Sequence, residues 1–558
     1  MRQTRIVLPA IFLIVTMSHT LSCQAPQESE PVDRPDTAVV MNQIRPAAIQ
    51  AHIEFLADDA LEGRGTGTRG YDLAAKYLRA QLMAFDVAGG AADGQYFQDV
   101  ALVRTAVQPA STTMKIDAVQ PLKFGTDFVL LDTHREQTGT VAGKVLFAGY
   151  GVTAPQLGYD DYADMDASGA IVAFMDFEAP PSFPSAVRAH FSDSDVKIAN
   201  AAAHGAIGAL FVRSPVQEKM FPWESLLLEL DIGWNSLRWL NADGKVGGMT
   251  EKPMVVGLLN RSGAELLFDD EQHDLQSVLD AAAAGRPPRF ALSNTVTIEY
   301  QASHKRVDSV NIIGLLEGSD PTLKSEYLVY TAHADHLGIG PPVDGDSIYN
   351  GAIDNAAGCA IVLEVAKAFA ALGERPKRSI LFLFVTGEEA GLLGADYFVH
   401  NPTVPINRIV ANINIDGGIS LVPVNAVVAY GVEHSTFAGL TEKNAAQLGL
   451  VINPDPFPEE GLFVRSDQYP FVKEGIPAVW PDLGFESPLP DVDPLQVLKT
   501  WLVTDYHTPK DDLSQSLDYD SSVRLARFAF ALGYDVAMDT RRPQWNEGDF
   551  FGAKLANR

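Results

Sequence analysis

From about residue 308 onward, short and nearly unbroken apolar runs alternate with helix-length segments, a pattern that few folds accommodate. The runs Asn311–Leu316, Tyr327–Ala332, Ser379–Thr386, Arg408–Ile415 and Ala478–Trp480 lack the polar alternation of a strand with one wet face. They predict strands of a sheet buried on both sides. Helices are expected near Ala356–Leu372, Gly391–Val399 and Ser521–Val536; the first stops at Gly373, with Pro376 just beyond. The fold class that follows is α/β, a doubly wound mixed sheet sandwiched by helices. Such sheets place ligands beyond the carboxyl ends of their strands.

That edge receives a particular set of side chains. His333 and Asp335 follow one strand, Glu388 and Glu389 follow another, and Asp416 follows a third. Asp354 begins a helix, and His507 lies in the late loop Thr504–Pro509. Singly, each has an ordinary reading: a Glu-Glu pair is a solvated turn, and an Asp before a helix is an N-cap. Together they pose a problem, because gathered carboxylates without cations raise one another's pKa. Divalent metal resolves it. Two Zn²⁺ ions, the carboxylates of Asp354, Glu389 and Asp416, and one hydroxide close to zero charge. Imidazoles mixed with carboxylates favour zinc over magnesium, which prefers oxygen throughout.

The rest of the chain has other characters. Residues 1–22 read as a signal peptide, with Arg2 and Arg5 ahead of the apolar run Ile6–Met17. Thr20-Leu21-Ser22-Cys23 resembles a bacterial lipobox, which makes Cys23 a lipidation site and implies export to a periplasm or cell envelope; without lipidation the chain would be secreted. Residues 23–42 then read as a flexible tether. Cys359 is the only other cysteine, so the folded body has no disulfide to draw on and Cys359 reads as a small buried hydrophobe. With 558 residues, more than one domain is expected. A formal net charge of −29 disfavours nucleic acid as a partner. Residues 43–138 read as the N-terminal part of the main domain, with two helices between Ala47 and Phe85. Gly65-Thr66-Gly67-Thr68-Arg69-Gly70 between them satisfies a nucleotide-loop pattern but follows no strand, so it reads as a turn. Residues 139–300 alternate short β-rich runs with a helix near Val196–His204, an inserted smaller α/β domain. Residues 301–558 complete the main domain.

The strings TAHADHLG (Thr331–Gly338), NGAIDNAAG (Asn350–Gly358), TGEEAGLLGADYF (Thr386–Phe398), NINID (Asn412–Asp416), RSDQYPFVKEGIP (Arg465–Pro477) and YHTPKDD (Tyr506–Asp512) resemble the M28 family of co-catalytic zinc peptidases. IEFLADDALEGRGTGTRG near the start and RPQW near the end extend the likeness, and the insert, with GYGV, YDDY and GAIGALFV, resembles a protease-associated (PA) domain. The resemblance implies two zinc ions, one held by His333 and Asp416, the other by Glu389 and His507, with Asp354 bridging. It implies Glu388 as general base, Asp335 as the residue orienting a ligand imidazole, and Tyr506 as the donor to the oxyanion. It also implies a cis peptide at Asp354-Asn355. Gln468 departs from the pattern, standing where relatives often carry His. The activity implied is an exported aminopeptidase acting on peptides. The alternatives are a carboxypeptidase or dipeptidase, a glutaminyl cyclase, or a receptor-like binding protein.

Overall fold

The computed structural model describes residues 35–117, 121–232, 236–248, 255–269 and 274–555. Signal peptide and Cys23 lie outside them.

The expected sheet is present. Strand Tyr327–His333 lies between Ser379–Val385 and Ile409–Asn414, parallel to both, and Ile409–Asn414 is parallel in turn to Ala478–Leu483. These four therefore share one carboxyl edge. Strand Ala426–Tyr430 runs antiparallel on the outside of Ala478–Leu483, and Arg289–Leu316 runs antiparallel on the outside of Ser379–Val385, making the sheet mixed. Every residue of Ser379–Val385 is buried. Its alternate side chains serve two cores: Ile380, Phe382 and Phe384 face the layer of helices Pro46–Leu56, Arg69–Ala84, Gly358–Ala370 and Tyr519–Met538, while Leu381, Leu383 and Val385 face Phe398 and Phe471. Each such side chain contributes roughly 1.5–3 kcal/mol through removal from water. This two-sided burial explains why the run lacks alternation.

Two of these helices begin where a side chain satisfies a free N–H group. Thr68 accepts from Tyr71 N ahead of Arg69–Ala84, and Asp518 accepts from Ser521 N ahead of Tyr519–Met538. Gly70 is required at the first of these starts: a Cβ there would lie 1.7 Å from Leu61 O. Among the described residues, no helix is long and apolar enough to cross a membrane.

Two boundaries differ from the sequence reading. Pro35–Met41, assigned to the tether, is a helix whose Val40 is 3% exposed. Arg527 Nε donates to Met41 O at 2.9 Å, fixing this helix to the body. The insert also begins earlier than residue 139. Met114, Ile116, Leu122, Phe128 and Leu130 belong to its core, together with Phe147, Ile171 and Leu210. The intervening strands are short, 4 and 5 residues, which left them without a readable period. The insert has parallel strands of its own, Thr138–Ala148, Ile171–Met175, Gly208–Val212 and Val255–Leu259. A single 28-residue strand, Arg289–Leu316, joins the units: its first half pairs with Thr138–Ala148 and its last residues pair with Ser379–Val385.

Candidate metal centre

The carboxyl edge of the larger sheet brings His333, Asp354, Glu389, Asp416 and His507 to one point. His333 ends its strand, and its Nε2 lies 3.1 Å from Asp354 Oδ1 and 3.2 Å from Asp416 Oδ1. His507 Nε2 lies 3.3 Å from Asp354 Oδ2 and 3.2 Å from Glu389 Oε2. Asp354 thus offers one oxygen to each imidazole, with Asp416 on one side and Glu389 on the other. His507 Nε2 is buried without a hydrogen-bond partner among the described residues. An orphaned ring nitrogen aimed between two carboxylates fits a divalent cation, and His333, Asp354 and Glu389 alone already present ligand atoms within 4.8 Å of one another.

The electrostatics measure how strongly the site calls for positive charge. Burial alone would depress the His333 imidazole, but Asp416 and Glu388 outweigh it and push its pKa well above the usual value. Burial likewise opposes the charge on His507, yet Glu389 and Asp354 raise it to about 10. Burial and Asp354 would raise Glu389, but His507 and His336 bring it down to about 2. Glu388 goes the other way: burial first, with Asp416, Glu389 and Asp467 added, pushes it well up despite His333. Adjacent glutamates are therefore held in opposite protonation tendencies, one suited to a ligand and one to moving protons.

The loops around the site are built for this geometry. The Asp354-Asn355 peptide is cis, and Asp354 sits at φ −110°, ψ 95°, outside helical geometry, so the α-helix itself begins at Gly358. Asp511 accepts from Ile353 N at 2.8 Å and Asp354 N at 3.0 Å, tying Asp354 to the loop that carries His507. Ser466 Oγ donates to Asp416 Oδ2 at 2.6 Å. Cys359 is buried, and its Sγ lies 3.0 Å from His333 O. Gln468 Oε1 accepts from Asn414 Nδ2 at 2.8 Å and its amide donates to Phe463 O, which makes it a buried strut between the end of strand Ile409–Asn414 and the turn at Phe463.

Asp335 meets the ring of His333 through its main chain. The His333 ring donates from Nδ1 to the main-chain carbonyl of Asp335 at 3.2 Å, not to its carboxylate. The chain turns sharply enough after His333 to bring that carbonyl under the ring. The carboxylate is left to accept from Glu388 N at 3.2 Å and Thr66 Oγ1 at 3.1 Å. Asp335 therefore fixes the loop of Glu388. Tyr506 stacks on His507, with ring centroids 3.8 Å apart, and is 40% exposed. Burial of its hydroxyl and the carboxylates of Asp354, Glu389 and Glu388 push its pKa well up, keeping it a donor.

Two residues here carried no individual assignment from sequence. Arg64, 1% exposed at φ 52°, spends its guanidinium on main-chain carbonyls of Ala334 (3.1 Å), Asn350 (2.6 Å), Gly351 (2.9 Å) and Leu56. Arg64, directly ahead of the glycine-rich turn, is thus the clamp under the site. His336 Nδ1 lies 2.6 Å from Glu389 Oε1. Its only sequence signal was proximity to His333.

The model for Peptidase family M28 matches residues 311–533. Among curated relatives, the vacuolar membrane protease of Yarrowia lipolytica is 32% identical over 159 residues, covering 28% of this chain and 13% of that protein. Probable leucine aminopeptidase 2 of Aspergillus oryzae is 24% identical over 243 residues, covering 39% of this chain and 46% of that protein. The chain thus spans less than half the length of either relative. Among solved structures, the aminopeptidase from Aneurinibacillus sp. strain AM-1 aligns with a TM-score of 0.50 at 17% identity, over 91% of this chain and 97% of that one, a likeness of fold.

Proposed function

We propose that this chain, which belongs to peptidase family M28 by its residues 311–533, is an exported zinc aminopeptidase that releases N-terminal residues from peptides. The observation that carries the reading is the pair of half-sites that share Asp354, with His333 also under the charge of a further carboxylate, Glu388. His333 and Asp416 would hold one zinc, Glu389 and His507 the other, and Asp354 both. When bound, the zinc pair supplies Lewis acidity toward the scissile carbonyl and lowers the pKa of the attacking water.

The protein's own residues do the rest. Glu388, as a carboxylate whose proton affinity is raised by burial and by the neighbouring acids, accepts the proton of the attacking water and delivers it to the leaving amine. Asp335 holds Glu388 in place through the Glu388 N–H. The Tyr506 hydroxyl, kept protonated by its burial and by the carboxylates around it, donates to the carbonyl oxygen as negative charge develops there. The names of relatives such as probable leucine aminopeptidase 2 support the exopeptidase direction. Residues 1–23 support export with a lipid anchor on Cys23, and the insert serves as a PA-type module beside the site: its helix Ser185–Ser192 meets the peptidase unit where His190 Nδ1 lies 2.5 Å from Tyr469 OH.

The test is a substrate panel run with metal analysis. Aminoacyl substrates should be cleaved, their N-blocked forms should not, and a chelator should abolish turnover until zinc is restored. Cleavage of N-blocked peptides from the carboxyl end would replace this reading with a carboxypeptidase. Cyclisation of N-terminal glutamine without hydrolysis would replace it with a cyclase.

A further inference from the structure

We infer that His336 is a positioning residue that sets how Glu389 meets its metal, and so sets the affinity of the zinc position shared by Glu389 and His507; this rests on the two-zinc reading above.

Spacing separates His336 from the ligands. Zinc ligands at about 2.0–2.1 Å in tetrahedral array lie about 3.3 Å from one another. His507 Nε2 meets that spacing, at 3.2 Å from Glu389 Oε2 and 3.3 Å from Asp354 Oδ2. His336 Nδ1 does not: it is 2.6 Å from Glu389 Oε1 and 4.0 Å from Asp354 Oδ2. The first distance is a charge-assisted hydrogen bond and the second is no contact. Nδ1–H therefore occupies Oε1 and turns Oε2 toward His507.

The ring has no freedom to do otherwise. The His336 side chain is fully buried, and a Cβ on Gly351 would sit 2.5 Å from it. His336 N donates to Arg64 O at 3.3 Å, while Arg64 grips Ala334 and Gly351 on either side. Nε2 is buried with no hydrogen-bond partner among the described residues. Burying an imidazole with one nitrogen unpaired is costly, and a leucine would fill the space without that penalty. The hydrogen bond to Glu389 is the polar interaction that a leucine could not make. The opposite half-site is fixed by different means, Ser466 Oγ on Asp416 and a main-chain carbonyl under His333. A change at His336 should therefore fall on one zinc position alone.

The experiment titrates zinc into chelator-stripped full-length protein against a chromophoric competitor, comparing wild type, H336L and H336N, with circular dichroism and Tm measured on each. Asn can return an N–H near the position of Nδ1. Wild type should bind two zinc ions. H336L should keep one at wild-type affinity and bind the other roughly 10- to 100-fold more weakly, the usual cost of losing a ligand's orienting partner. H336N should recover to within about threefold of wild type, on the same principle. Two zincs at wild-type affinity in folded H336L would overturn the inference, as would a second site in H336N as weak as that in H336L. If H336L does not fold, H336N alone decides, and a loss of more than about tenfold there overturns it. A wild type that binds one zinc would instead refute the two-zinc reading.

Discussion

In the insert, strand Ile171–Met175 runs directly into Asp176, which is 7% exposed; in the larger unit, strand Tyr327–His333 runs into a site holding Asp354, Glu389 and Asp416. Both are parallel strands whose carboxyl ends lie at buried acids, although the insert's strands are laid side by side in chain order and those of the larger unit are not. Their charge is settled differently. Burial raises Asp176 to about 6, but Lys197 and Arg213 act against it, and Lys197, 1% exposed, anchors itself by donating to Met175 O at 2.7 Å. The insert brings its own cations. At the larger edge, the nearby Arg64 gives its donors to carbonyls, and the carboxylates instead draw protons onto His333 and His507. A sheet edge of acids becomes a metal site when the protein withholds its own positive charge.

The sharpest way to break that contrast is to remove an acid from the larger edge. Glu389→Ala takes away a proposed zinc ligand and the partner of both His507 and His336. Zinc should fall below two per chain by elemental analysis, with turnover at background. Full stoichiometry in this variant would mean that the acids do not hold the metal. Glu388→Gln separates proton chemistry from metal binding. It should keep its zinc and lose about 10²- to 10⁴-fold in kcat, the range for a general base. Near wild-type turnover would remove Glu388 from the mechanism.

On the other side of the comparison, Lys197→Met leaves Asp176 buried beside one cation fewer. The insert should lose about 2–6 kcal/mol in urea unfolding, the cost of leaving the carbonyls of Met175 and Glu178 without their buried donor at about 1–3 kcal/mol each. Zinc stoichiometry should not change, since Lys197 belongs to the other unit. Loss of zinc along with stability would show that the two edges are coupled through the shared strand Arg289–Leu316.

The larger edge was legible because period and position agree there: unbroken apolar runs mark strands, and chemistry-bearing residues stand just past their ends. His333, Asp354, Glu389, Asp416 and His507 come together as that reading expects. What stayed illegible depends on main-chain geometry. No pattern says that the carbonyl of Asp335, rather than its carboxylate, meets the His333 ring. Nor does sequence announce that Arg64 buries its guanidinium against carbonyls from Leu56, Ala334, Asn350 and Gly351, because basic residues are ordinarily solvated. The early strands of the insert, Thr113–Ile116 and Phe128–Asp132, are too short to show a period. Pro35–Met41 looked like tether because its polar, proline-bearing surroundings masked a helix held by tertiary contact with Arg527.

A third way of settling charge gives the smallest expected effect. Asp161 in the insert is 2% exposed and relies on donors more than on an adjacent cation: Tyr150 N and Val152 N each at 3.1 Å on Oδ2, and Tyr159 OH at 2.8 Å on Oδ1. Burial raises its pKa from 3.8 to about 6 against those hydrogen bonds. A raised acid binds its proton more tightly in the folded state than in the unfolded one. The stability it contributes is therefore fully present below pH 3.8 and lost as the pH rises through about 6. Asp161→Asn has no such proton, and its amide can still accept from the two N–H groups while donating to Tyr159. Relative to the variant, wild type should lose about 1–3 kcal/mol of insert stability between pH 4 and pH 7, read from urea midpoints across that range. Parallel profiles would mean that three hydrogen bonds hold Asp161 ionised throughout, and that donors alone can do for a buried carboxylate what Lys197 does for Asp176.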